Sequence, residues 1–357
     1  MINDSNCVLT KRQQDILKSI ILEHIKTAET VGSSVLANDY DLNVSSATVR
    51  NEMSVLTEMG YIEQPYTSAG RIPTAMGYKF YINDIIDFDR EIPDKKIKLM
   101  QTLLSQNYQS LENMLSSVLK FLANISGQMS IIAEPDFSFG ILESFNIFLL
   151  TSDKLLIAIS LRAGFEKTFI IPNKHKLSQH QIRAIERYLN DNFAQKSFNQ
   201  IKHILKKELR NTTDSQKTII QSINTEIQKA LQKASNLNLR FEGDIGFMSQ
   251  PEFNSQLKVL KLLKAINDHK KIENIFKNYR QNDYTILMGE ETGIEGLEDA
   301  VLIFGKYEIM NLTGFIGILG TKRMNYTDNI PIICFAARMI TELSEKGALI
   351  PYQIKNK

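Results

Sequence analysis

Residues 45 to 74, SSATVRNEMSVLTEMGYIEQPYTSAGRIPT, constrain this chain more than any other part of it. Ser45 and Ser46 stand at the mouth of a short helical pattern that runs into Gly60. A serine there caps a helix by accepting from its orphan N–H groups, and a glycine takes the left-handed turn that ends one. Tyr61-Ile62-Glu63-Gln64 and Arg71-Ile72 then read as two short strands around the flexible turn Thr67-Ser68-Ala69-Gly70. A capped helix followed by a tight polar hairpin is the layout of a recognition helix and its wing, which is a DNA-binding device.

The helix divides into two faces. Val49, Met53 and Leu56 lie at spacings of four and three and point to a core. Thr48, Asn51 and Ser54 project the other way, with Ser46 and Arg50 at the edge. That outer face is small, polar and rich in donors, as a major groove requires. Ser45 and Ser46 occupy the positive end of the helix, where a phosphate is welcome. Asn51 can pair bidentately with an adenine, and Arg50 with a guanine or a phosphate. Arg71 is placed like a wing residue that enters a minor groove or grips its phosphates, beside Thr67 and Ser68.

Upstream, Thr10-Lys11-Arg12-Gln13 has the form of a capping box. It opens a helix with Ile16, Leu17, Ile20, Ile21 and Ile25 on one face, ending before Gly32. Ser33 is expected to cap a second helix over 34 to 39, and Asn43 to take a left-handed turn. Thr74 is expected to cap a fourth helix running to about residue 87. Charge argues the other way. Residues 1 to 80 hold seven Lys or Arg against nine Asp or Glu, whereas a free-standing DNA binder carries a basic footprint. Affinity must then come from charge placement and from two copies acting together. A three-helix unit with a hairpin also serves elsewhere as a protein-binding module, and that reading stands beside the DNA one.

The chain of 357 residues is too long for one ordinary core, so two or three domains are expected. A hydrophobic content of 43% with 23% charged residues is that of a globular protein. The net charge of +2 by itself points neither to nucleic acid nor to a membrane. Cys7 and Cys334 are far apart in sequence, which fits a reducing cytoplasm rather than a disulfide framework. The start MINDSNCVLTKRQQ has no apolar core behind a basic end, so no signal peptide is read there. The most apolar stretch, 131 to 150, is broken by Glu134, Pro135, Asp136 and Glu143, and no membrane span is expected.

Residues 88 to 93 are charged, end in proline, and read as a linker. A long helix is expected from Asp94. In it Leu111, Leu115, Val118, Leu122, Ile125 and Met129 form a stripe that is either a coiled-coil seam or the face of a helix laid on a sheet. Strands follow at 143–150, 155–161 and 165–171, then helices from 178 to about 235. The cluster Lys202, Lys206, Lys207 and Arg210 reads as a solvated helix face. A helix at 254–268, strands at 284–288, 301–307 and 313–319, and a last helix at 330–346 complete the pattern. Strands on both sides of a helical interruption imply one α+β domain with an insertion. Gly314, Gly317 and Gly320 recur every three residues in an expected strand and read as sites of close packing. Gly289, Gly293 and Gly296 lie among Glu290, Glu291 and Glu295, which would repel a phosphate.

The block SSATVRNEM, the wing TSAGRIPT and the following GYKFYI together resemble the N-terminal domain of the HrcA family of bacterial heat-inducible repressors. FMSQPEF (247 to 253) and GILGTKRMNY (317 to 326) look like later signatures of the same family, so the resemblance covers both ends with a weaker middle. Tyr66 stands where the family often has a histidine, and Thr321 where a proline is common. The resemblance implies a multidomain α+β architecture. It would place a winged helix-turn-helix at 1–87, a GAF-like domain in two parts at 88–175 and 245–345, and an inserted, mainly helical dimerisation domain at 176–244. It implies a homodimer that binds double-stranded operator DNA, an inverted repeat upstream of chaperone operons, and that depends on the GroE chaperonin. Recognition-helix roles carry over to Ser46, Thr48, Arg50 and Asn51, and wing contact to Thr67, Ser68 and Arg71.

Enzyme chemistry finds little support. His24, His175, His180, His203 and His269 form no metal-binding motif, and no cofactor fingerprint is present. Ser117-Val118-Leu119-Lys120 spells a Ser-x-x-Lys pair, but Val118 and Leu119 belong to an amphipathic helix and the companion motifs are missing. Three readings remain: a chaperonin-coupled operator-binding repressor, a regulator whose GAF-like domain senses a small molecule, and a catalytic domain with a DNA-binding appendage. The last needs a cluster of catalytic side chains that the sequence does not offer.

Overall fold

The computed structural model describes residues 9–86, 92–107, 111–135, 140–162, 166–174, 176–197, 199–201, 203–204, 238–309 and 311–345. The architecture is multidomain and mixed, with an N-terminal winged helix-turn-helix followed by a body of two antiparallel sheets and their helices.

In the module, α1 (Lys11–Thr27) opens on the expected capping box, with Thr10 and Gln13 satisfying each other's backbone N–H. Ile16, Leu17, Ile20 and Ile21 are buried, and the helix stops at Ala28 in a left-handed conformation. Helix α2 (Ser33–Asp39) departs from expectation at its start. Gly32, not Ser33, occupies the cap position, and no side chain bonds there. The Gly32 carbonyl already accepts from Leu36, so Ser33 is drawn into the first turn. Asn43 takes the left-handed turn with φ 52°. Helix α3 (Ser46–Glu58) buries Val49, Met53 and Leu56 and gives way to Gly60 at φ 80°. The wing strands β1 (Ile62–Glu63) and β2 (Ile72–Pro73) pair antiparallel. Thr74 caps α4 (Ala75–Phe80), which runs on as a wide turn, Tyr81–Ile85. Most of the expected linker lies outside the described residues.

The body begins with α5 (Asp94–Asn107) and α6 (Leu111–Ser126). They pack on each other, so the single long helix expected from Asp94 is two. Helix α6 lies against β3 (Met129–Ala133) and its neighbours with Met114, Leu115, Val118 and Leu122 buried. Of the two readings of its stripe, the helix laid on a sheet is the one observed, but α6 ends at Ser126 and Met129 lies on β3. Strands β4 (Leu142–Thr151), β5 (Lys154–Leu161) and β6 (Glu166–Pro172) form a separate three-stranded meander. Helix α7 (Gln179–Phe193) covers its β4 edge. There the Asn190 amide exchanges two bonds with the Phe145 backbone, and Glu186 accepts from the Ile147 N–H at 2.7 Å.

The second sheet has the order β7-β3-β10-β9-β8, with β7 Leu239–Glu242, β8 Tyr284–Met288, β9 Ala300–Ile309 and β10 Leu312–Thr321. The chain leaves this sheet after β3 and rejoins it at β7. The boundary expected between 175 and 176 therefore falls inside one unit, because β4, β5 and β6 stand with α7 and not with the larger sheet. Two strands hid this arrangement. All five residues of β3 are buried, so it lacks alternation, and β7 is only four residues long. The basic cluster from Lys202 to Arg210 lies outside the described residues. The expected helix near 254–268 is Gln256–Asn267, and an unexpected one, His269–Asn278, follows directly. Asp268 separates the two and accepts from the Lys271 N–H. The C-terminal helix, Tyr326–Glu345, starts a turn earlier than the pattern indicated and packs along β9.

Strand β10 is buried along all ten residues. A Cβ on Gly317 would sit 2.0 Å from the Ile303 carbonyl oxygen, and one on Gly314 would strike the Tyr307 ring. The glycine spacing serves close packing, as expected. Gly317→Ala is predicted to destabilise the body by about 1–3 kcal/mol through overpacking against backbone that cannot yield. Thermal unfolding of the full chain checks it, with a fall of several degrees expected.

Candidate nucleic-acid interface

The exposed surface of α3 is the feature that the module is built to present. Ser45 caps it, its hydroxyl accepting from the Thr48 N–H at 3.2 Å and lying 3.0 Å from the Thr48 hydroxyl. Thr48 is half-buried as a result, while Ser46, Arg50 and Asn51 are exposed. Ser54 is exposed too, but its hydroxyl turns back to the Arg50 carbonyl at 3.1 Å. Two side chains with full hydrogen-bonding capacity, Arg50 and Asn51, thus stand next to each other on an outward turn. Thr48 contributes its methyl edge more than a free donor.

The back of α3 is held by α1. Gln13 donates to Glu52 at 3.1 Å, and Arg12 pairs with the same carboxylate at 3.6 Å. The acid on the recognition helix nearest its reading face is thereby occupied. Tyr40 donates to Glu23 at 3.0 Å, and burial with that carboxylate pushes its hydroxyl up to about 12. It remains a neutral donor that ties α2 to α1. The carboxylate next to Arg50 and Asn51 in sequence, Glu52, is thus held by α1.

The wing is ordered by side chains that pattern reading passed over. Gln64 donates to the carbonyls of Thr67 at 3.0 Å and Ala69 at 2.9 Å, and the Ala69 N–H closes a turn on Tyr66. Thr67 and Ser68 sit exposed on this turn, and Tyr66 beside them is 63% exposed. Arg71 is held at the base of the wing. Its backbone exchanges two 2.9 Å bonds with Val31, and its guanidinium donates from Nε to Thr57 on α3 at 3.1 Å. Half-buried at the wing's base, it braces the wing against the recognition helix. Gly70 lets the wing pass close to the segment before α2, since a Cβ there would lie 2.4 Å from the Val31 carbonyl oxygen. Nothing in local spacing marks Thr57, which is found only when the hairpin folds back. Gln64 left one signal, a polar residue at the start of a hairpin.

Elsewhere, Ser117 of the Ser-x-x-Lys pair donates to its own helix at Asn113. Among the described residues no helix is long and apolar enough to cross a membrane.

Ser45→Ala is predicted to cost about 1 kcal/mol by leaving the Thr48 N–H uncapped. Urea unfolding of the full chain measures it, and an unchanged midpoint would contradict the capping role.

Comparison with known proteins follows this geometry. A family model described as the winged helix-turn-helix transcription repressor, HrcA DNA-binding, matches residues 8–85, and one for the HrcA protein C-terminal domain matches residues 112–330. The heat-inducible transcription repressor HrcA of Chlorobium chlorochromatii is 30% identical over 92% of this chain and 95% of its own. That of Natranaerobius thermophilus is 29% identical over 95% of this chain and 98% of its own. A crystal structure of a hypothetical protein superposes with a TM-score of 0.61 at 21% identity, covering 96% of this chain and 99% of that one, which shows a shared fold. With two family models spanning most of its length and relatives matched from end to end, the chain belongs to the HrcA family of heat-inducible, DNA-binding transcription repressors and is not an enzyme.

Proposed function

We propose that the protein represses chaperone operons as a homodimer bound to an inverted-repeat operator, each copy reading one half-site. The observation that carries this reading is the exposed turn of α3 with Arg50 and Asn51 side by side, the adjacent Glu52 being paired with Arg12. Ser45 and Ser46 at its positive end are assigned to phosphate, with Thr48 at the groove wall. Thr67 and Ser68 are assigned to the sugar-phosphate backbone beside the wing. Arg71 is assigned a DNA contact only through atoms left over from its bond to Thr57. Two linked half-sites multiply affinity without a basic surface on either module. A cytoplasmic location goes with this role.

We assign dimerisation to the excursion between β3 and β7, and GAF-like character to the five-stranded sheet with its helices. Maintenance by the GroE chaperonin is supported by topology. Ala133 pairs with Phe315 and Ile131 with Phe241, so the central sheet closes only after distant segments meet. Slow non-local pairing leaves apolar strands exposed during folding. The alternative, a ligand-responsive regulator, draws on a cavity of about 320 Å³ near Tyr284, Pro331, Cys334 and Arg338. A thermal shift with small molecules, without any effect of chaperonin on refolding, would favour it.

Arg50→Ala is predicted to weaken operator binding by roughly 1–3 kcal/mol if the residue reads a base. Gel-shift titrations on operator and scrambled duplex decide the role, because equal loss on both would make Arg50 a phosphate contact. A second expectation is that active protein recovered from denaturant rises when chaperonin and ATP are supplied. Equal recovery without them would remove the chaperonin from the mechanism.

A further inference from the structure

Three sequence signatures have no place on the DNA-facing surface: GYKFYI (77–82), FMSQPEF (247–253) and GILGTKRMNY (317–326). In the fold they converge on the seam between module and body. Tyr78 of α4 and Tyr326 of the C-terminal helix are both buried there, with ring centroids 5.7 Å apart. Beside them Arg323 grips Glu252 through two bonds, Nε to Oε1 at 2.7 Å and Nη2 to Oε2 at 3.2 Å. The remaining nitrogen of the same guanidinium, Nη1, reaches the carbonyl of Ile25 in the last turns of α1 at 3.5 Å. The Arg323 and Glu252 side chains are 17% and 21% exposed, so water and salt screen the pair weakly.

The two segments that carry this pair are themselves tied together. The Thr321 hydroxyl donates to Gln250 at 3.1 Å, and the Thr321 N–H donates to Gln128 at 3.2 Å. Gln250 donates to the same Gln128 oxygen at 3.1 Å. Glu252 and Arg323 are thus mounted on a fixed part of the body, next to the start of β3. Lys79 also pairs with Glu291 across the seam, but both are well exposed and such pairs contribute little.

These contacts have different mechanical consequences. Burial of Tyr78 against Tyr326 holds the module to the body but is non-directional, and it tolerates rotation. A planar guanidinium that meets a carboxylate with two bonds and a carbonyl with a third fixes a direction. Its carboxylate partner belongs to the body and its carbonyl partner to the module.

We infer that Arg323 is a positioning residue: held by Glu252, it sets the angle at which the DNA-binding module leaves the body, and so the half-site spacing that a dimer accepts. This rests on the operator-binding reading above. Arg323 touches no DNA and acts through α1. Modules held at one angle engage two half-sites only where separation and helical face both agree, whereas modules that swivel accept several arrangements.

The test uses the full chain with Arg323→Gln and Glu252→Gln together, because removing one partner alone would strand a half-buried charge. Binding is measured on three duplexes: the operator, the operator with about five extra base pairs between half-sites, which turns them to opposite faces, and a single half-site. The parent protein is expected to prefer the native spacing on the order of 100-fold. The double variant is expected to hold the single half-site within about threefold of the parent while its spacing preference falls below about fivefold. Retained spacing preference in the variant would overturn the inference. So would loss of half-site binding in parallel, since the pair would then only support the module's fold. Failure of the parent itself to select operator over scrambled DNA would instead bring down the repressor reading, and this inference with it.

Discussion

The burial of β10 is the constraint on which the body depends. Every residue of this strand is enclosed, and both its edges are paired, to β3 on one side and β9 on the other. A strand in that position has no solvent-facing row, so it is apolar apart from Thr313 and Thr321 and relieved by glycines where neighbours press in. Gly314 admits the Tyr307 ring and Gly317 admits the Ile303 backbone. The end of the same strand, at Thr321, delivers the turn that carries Arg323. Packing at the centre of the sheet thereby decides where the seam with the DNA-binding module lies.

The module answers a different problem, how to offer a groove-sized polar face from a chain segment with little positive charge. Two of its acids are held by partners within the module. Glu52 is taken by Arg12 and Gln13, and Glu23 by Tyr40. The wing is braced by Arg71 on Thr57 and shaped by Gln64, so that Thr67, Ser68 and Tyr66 stand out on a small ordered turn.

Module and body are joined through a shared interior. The apolar core runs without a break from the module through Tyr78 and Tyr326 into the body. Module and body therefore share buried surface at this seam, with Arg323 reaching the Ile25 carbonyl beside it.

How much was legible in the sequence follows the range of the interactions involved. Helix caps at Thr10, Ser45 and Thr74, the left-handed turn at Asn43, the inward face of α3 and the β4-β5-β6 meander are local matters, and residue type alone set them. The polar outer turn of α3 was readable for the same reason. What tertiary structure decided was everything set by distant partners. It gave Arg71 a bond to Thr57 at the base of the wing, gave Gln64 its partners in the turn, and set the three-stranded meander apart from the larger sheet. It also brought Glu252 and Arg323 to one junction. Strands β3 and β7 escaped notice because a fully buried strand and a very short one carry no periodicity, and only their pairing with each other and with β10 defines them.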